Sequence, residues 1–227
     1  MCFTRITSVL LLLSLLQSIA QEKKEDYLGS WSIVSGSHRI ADKWSIPTEA
    51  YYGTYKLYNC YHDFYFRTGI TYQPSSKLKT TIGFAFVDME PFTFVGSNYN
   101  SEQNVIYEEL NVNHNFRKLK IGNRFRLENR WTKAGGDKKY DNRFRYRLRF
   151  THPIIKALYA SFHDEFLMNL KGNVFNQNRI QCSLGYKITP NFKIECGYLF
   201  QSFPKISYHR LRLVLLFNIN WRKKSSI

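Results

Sequence analysis

Between residues 142 and 150 the chain reads N-R-F-R-Y-R-L-R-F. Phe144, Tyr146, Leu148 and Phe150 share one phase of this run, and Arg143, Arg145, Arg147 and Arg149 share the other. A period of two belongs to a β-strand, whose successive side chains leave opposite faces of the sheet. Four arginines in a row on one face require a wet, roomy surface, because an unpaired charge is not tolerated in a dry core. The opposite face is wholly apolar. About ten further segments alternate in the same way along the chain. A sheet apolar on one side and charged on the other is satisfied by closing on itself inside a membrane, with the charged face inward.

The N-terminus agrees with export. Arg5 precedes an almost unbroken apolar run over 9–16, and Ser18 and Ala20 supply small residues at −3 and −1 of a cleavage site. This is the pattern of a secretory signal over residues 1–20. Its apolar run is shorter than the roughly 20 residues that a helix needs to cross a bilayer. Cys2 lies before that run, so the segment is not a lipoprotein signal. Residues 21–227 hold no apolar stretch long enough for a helical span, and a closed barrel is the other way to cross a bilayer. The expected location is a bacterial outer membrane, after cleavage near Ala20.

Net charge is +16, from 33 Lys and Arg against 17 Asp and Glu, and aromatic residues make up 17 % of the chain. Basic, aromatic-rich chains include single-strand nucleic-acid binders, in which rings and cations share a face so that bases stack while phosphates are held. Here rings and arginines are segregated to opposite faces, so no nucleic acid is expected. Tyr and Trp favour a membrane–water boundary. The negative mean hydropathy of −0.39 is compatible with a barrel, which shows only alternate residues to lipid. Cys60, Cys182 and Cys196 remain after cleavage, an odd number at irregular spacing, so neither a disulfide framework nor a metal site is expected. No cofactor is expected either.

Eleven strand candidates follow one another, near 29–38, 44–56, 62–73, 78–88, 105–116, 119–132, 142–151, 158–168, 177–188, 192–202 and 208–221. Short connections near 40–43, 74–77, 117–118, 152–157 and 189–191 alternate with longer ones near 57–61, 89–104, 133–141, 169–176 and 203–207. That asymmetry matches short periplasmic turns and longer outer loops. Bacterial single-chain barrels have even strand counts, so a twelfth strand is sought in 92–95 or 22–28. The expected fold is all-β: an antiparallel transmembrane up-and-down β-barrel of twelve strands, ten being the other count. It forms one domain over 21–227, with a short basic tail at 222–224. Glu108, His114 and Asp164 fall on the outward phase and are expected at strand ends.

The inward phase collects Arg67, Arg124, Arg126, Arg130, Arg143, Arg145, Arg147, Arg149, Arg179, Arg210 and Arg212, with Lys79, Lys187 and Lys193. Its acids are Glu49, Asp63, Glu109, Glu128, Glu165 and Glu195. Two outcomes are open. The groups interlock and plug a narrow barrel, or the basic excess gives a narrow lumen that prefers small anions. Two further classes of function are weighed. A lipid- or lipopolysaccharide-modifying enzyme would need a nucleophile and base. Ser161, His163 and Glu165 share a strand face, but successive same-face side chains stand about 7 Å apart, too far for a direct nucleophile–base hydrogen bond. A surface-binding protein would use the connections 89–104 and 133–141.

The segments R-F-R-L-E-N-R-W (124–131), R-F-R-Y-R-L-R-F (143–150), H-D-E-F-L-M-N-L (163–170), F-N-Q-N-R-I-Q-C-S-L-G-Y-K-I (175–188) and N-F-K-I-E-C-G-Y-L-F-Q (191–201) carry a resemblance. The chain resembles the family catalogued as domain of unknown function 2490, common among Bacteroidota, over about residues 27–221. The resemblance implies an outer-membrane-type barrel without an assigned activity. It marks Arg126, Glu128, Arg130, Arg143, Arg145, Arg147, Glu165, Asn178, Arg179, Gly185 and Tyr186 as pattern positions and gives none of them a role. The expectation is a monomeric barrel in contact with outer-membrane lipid, structural or a narrow anion-preferring channel, and not an enzyme.

Overall fold

Alternation converts into eleven strands in the computed structural model, which describes residues 27–90 and 100–222. They are β1 (Leu28–Arg39), β2 (Trp44–Lys56), β3 (Asn59–Tyr72), β4 (Leu78–Met89), β5 (Ser101–Phe116), β6 (Leu119–Ala134), β7 (Asp137–Pro153), β8 (Leu158–Asn169), β9 (Phe175–Lys187), β10 (Phe192–Ser202) and β11 (Ser207–Asn220). The described residues contain no helix. Each strand pairs antiparallel with its sequence neighbours, and the sheet closes where β1 meets β11. That last pairing is parallel, from Leu28↔His209 to Arg39↔Asn220.

The parallel seam corrects the expected count of twelve or ten. In an up-and-down ring an odd number of strands leaves the first and last running the same way, and a parallel pair can still hydrogen-bond fully. An even count follows only if every pairing is antiparallel. The two places proposed for a missing strand, 92–95 and 22–28, lie outside the described residues, except for Tyr27 and for Leu28, which opens β1.

Burial follows the period of two and is inverted relative to a soluble sheet. In β8, Tyr159, Ser161, His163, Glu165 and Leu167 are buried, while Phe162, Asp164 and Phe166 are exposed. Outside, Ile82 is 66 % exposed and Leu184 54 %. Inside, Arg126, Glu128 and Arg210 are almost fully buried. Glu108 and Asp164 do not sit at strand ends as expected. Both lie in mid-strand on the outer face, Glu108 between Ile82 and Leu127 in register. Asp164 accepts a hydrogen bond from Asn178 Nδ2 at 2.6 Å. His114, two residues from the end of β5, does lie near its turn.

The connections are less unequal than the sequence pattern indicated. One rim, here called proximal, carries 40–43, 73–77, 117–118, 154–157 and 188–191; the distal rim carries 57–58, 90–100, 135–136, 170–174 and 203–206. Two of the supposed long loops, 57–61 and 133–141, are tight two-residue turns between extended strands. Gly135 and Gly136 both have positive φ, 58° and 93°, the geometry of a primed hairpin turn that glycine adopts without strain. The connection 90–100 remains the longest, and its residues 91–99 lie outside the described residues. The three cysteines are unbonded. Cys182 faces Tyr198 and Cys196 faces Leu184, the diagonal placement that a turn near 189–191 implies.

Candidate functional site

The interior of the barrel is assembled by register. Across β6 and β7, Glu128 faces Arg143, Arg126 faces Arg145 and Arg124 faces Arg147. Across β7 and β8, Arg147 faces Glu165 and Arg149 faces His163. Glu109 faces Arg126 across β5 and β6, and Glu49 faces Arg67 across β2 and β3. Long guanidinium side chains do not simply bond straight across. Arg145 reaches diagonally to Glu165, with Nη2 at 2.9 Å, and also holds Glu128 through Nη1 at 2.7 Å.

Two carboxylates form the hubs. Glu128 accepts from Arg143 Nε at 2.7 Å as well as from Arg145, with Arg126 Nη1 at 3.6 Å. Glu165 accepts from Arg124 and Arg145, with Arg179 Nη1 at 4.0 Å. Glu109 takes Arg126 Nε at 2.7 Å and Asn111 Nδ2 at 2.8 Å. Glu49 pairs with Arg67 at 3.1 Å. Glu195 accepts from Arg149 Nη2 at 2.7 Å and from the Tyr159 hydroxyl at 2.8 Å. Arg130 is held by Asp141 at 2.5 Å, an acid that the inward phase had not included.

Arg210 has a different environment. It donates Nε to Gln201 Oε1 at 2.7 Å and Nη1 to the Thr54 carbonyl at 2.6 Å, and it lies over the rings of Trp31, Tyr55 and Tyr208. The eleven arginines and five glutamates of the inward phase therefore all occupy the interior, but not as one uniform wet surface. Trp31, Tyr51 and Tyr65 stack in sequence, with centroids 4.8 and 5.1 Å apart. Trp31, Ile33, Leu199 and Val214 form a dry cluster beside them. Arg126 lies 4.6 Å over the ring of Tyr107, a stabilising cation–π geometry. This apolar component was missed, although Leu199 and Val214 sit on the same phase as Glu195 and Arg212 and could have signalled it.

Among the described residues, no group of His, Cys, Asp and Glu could hold a metal ion. Ser161, His163 and Glu165 are not joined to one another by hydrogen bonds. Ser161 Oγ lies 3.0 Å from Ser183 Oγ and accepts from Arg149 Nη2 at 3.2 Å, and Glu165 is occupied by arginines. Space remains in the interior as a chamber of about 220 Å³, lined by arginines of β6, β7 and β9 and by Trp31, Ile33 and Leu199.

Comparison with curated proteins finds no match. Among solved structures, the NanC porin is similar in fold, with a TM-score of 0.54 over 83 % of this chain and 96 % of that one, at 15 % sequence identity. The family described as protein of unknown function DUF2490 matches residues 28–212, from the first residue of β1 into β11. With that span matched and the ring of strands closed, the chain belongs to the DUF2490 family and has a porin-like β-barrel fold.

Proposed function

We propose that this protein is an outer-membrane barrel whose arginine-lined interior takes up small anions and gives them a narrow, anion-preferring path. The observation that carries the reading is the charge imbalance inside: eleven arginines face the five glutamates, Asp63 and Asp141. Guanidinium stays charged at any physiological pH, so the surplus has to be balanced by mobile anions wherever water enters. The apolar exterior, the export signal read in residues 1–20 and the fold shared with a porin support placement in an outer membrane, in contact with its lipid.

A second reading, a scaffold with a filled lumen, is favoured by one specific observation. The ion-pair hubs and the Trp31–Tyr51–Tyr65 stack leave only about 220 Å³ between them. Single-channel recording across a salt gradient separates the two. Steady conductance with a reversal potential set by the anion, weakened in Arg147→Ala, is the expected result. Silence from a barrel that migrates as folded on unboiled gels would leave the scaffold reading.

A further inference from the structure

The interior ion pairs account for most of the arginines by name, and the remainder fall together. Among the described residues Arg147 and Arg212 have no hydrogen bond or ion pair, and the Nε of each is buried without a partner. His163, on the strand next to Arg147, is 7 % exposed, and its Nδ1 is likewise unpartnered. Gln181, register partner of His163 across β8 and β9, is 2 % exposed and leaves its Oε1 unused. All four line the same chamber of about 220 Å³.

The carboxylates whose charges reach these groups are already engaged. Glu165 and Glu109 act on Arg147, but they are held by Arg124 and Arg145 and by Arg126. Glu49 and Glu195 act on Arg212, but they are held by Arg67 and by Arg149. Buried donors left without acceptors are costly, and a cluster of them around one cavity marks a place for a ligand that supplies acceptors.

We infer that Arg147, Arg212 and His163 form a binding site for a small oxyanion, a phosphate or carboxylate group, in the middle of the barrel. Two guanidiniums offer forked donors matched to two oxygens. The imidazole adds a third donor when Nδ1 carries the proton. Gln181 Oε1 accepts from a protonated oxygen of the ligand or from a water beside it. With roughly 10–15 Å³ of such space needed to seat one water molecule, the chamber of about 220 Å³ has room for one such group and accompanying water. The dry wall of Trp31, Ile33 and Leu199 strengthens the charge–charge attraction by lowering the local dielectric.

The inference rests on the anion reading above and deepens it, but its test needs no current. The purified full-length protein in detergent is heated, and its unfolding is followed by gel mobility in inorganic phosphate, in acetate and in chloride at matched ionic strength. A ligand at about ten times its Kd raises the unfolding temperature of a chain of this size by about 3–6 °C. The expected result is such a rise in phosphate over chloride, absent in the Arg147→Met/Arg212→Met variant and retained in Arg222→Met at the proximal rim. An equal rise in acetate assigns the site to oxyanions generally; a rise in phosphate alone assigns it to phosphate groups.

No rise over chloride, or the same rise in the double variant, overturns the site. If the double variant does not fold, Arg147→Lys and Arg212→Lys keep the charge but lose the fork. They should at least halve the rise, and an unchanged rise overturns the site equally. Binding without conductance would leave the site and sink the passage. Conductance without binding would do the reverse.

Discussion

Glu165 is 3 % exposed, takes hydrogen bonds from Arg124 and Arg145, and has Arg179 at 4.0 Å. Removing one member of a buried ion cluster strands the opposite charges, at a cost of about 3–5 kcal/mol. Glu165→Ala should therefore lower the urea unfolding midpoint by that equivalent with the slope unchanged, whereas Glu165→Gln, which keeps the acceptor oxygen, should lose less. A loss below about 1 kcal/mol in Glu165→Ala would show that water already carries those arginines. The phase of β8 alone says that Glu165 faces inward. It does not say which arginine takes it. Arg147 and Arg179 are the register partners on the two sides, yet Arg145 and Arg124 make the bonds, because long side chains choose partners diagonally and by competition. That is why membership of the interior was legible in the sequence and the free pair Arg147 and Arg212 was not.

Two glycine positions show what holds neighbouring strands together. On β4, Gly83 faces Tyr107 of β5, and a Cβ there would stand 2.4 Å from the ring. On β9, Gly185 faces Tyr159 of β8, and a Cβ there would stand 2.2 Å from the ring. In both cases an interior ring packs against the bare backbone opposite, a device that pins register. The Tyr159 hydroxyl then reaches Glu195, which also holds Arg149. Gly185→Ala should displace the ring and cost about 1–3 kcal/mol by overpacking. Gly122→Ala, where the nearest atom is the movable Asn113 Oδ1 at 3.1 Å, should cost far less in the same melts. Equal effects at the two sites would refute the role given to the ring. At this scale the sequence was most readable in the strands, since alternation marks each of them. It was least readable at the ends: the Gly135–Gly136 pair is a hairpin signal inside 133–141, a segment whose lack of alternation reads as a loop.

The complete ring depends on a contact that no local pattern announces. Residues 28–39 pair with 209–220, so nearly the whole described chain must be laid down before the barrel can close. The sequence supplied eleven segments, and the rule of even counts argued for a twelfth; only the parallel direction of the seam reconciles the odd number. Because β1 and β11 run the same way, Leu28 lies at the distal rim and Asn220 at the proximal rim. With Cys60, Cys182 and Cys196 replaced by Ala, single cysteines at Leu28 and Asn220 should react with a membrane-impermeant maleimide from opposite sides of a vesicle. Reaction of both from one side would contradict the parallel seam in a membrane. The surplus of interior arginine reaches further than any single binding event. Fixed charge that outnumbers its internal partners behaves as the beads of an anion exchanger do: it repels cations and trades one counterion for another according to their hydration. The barrel's melting temperature should then report the identity of the salt around it, and not only its concentration.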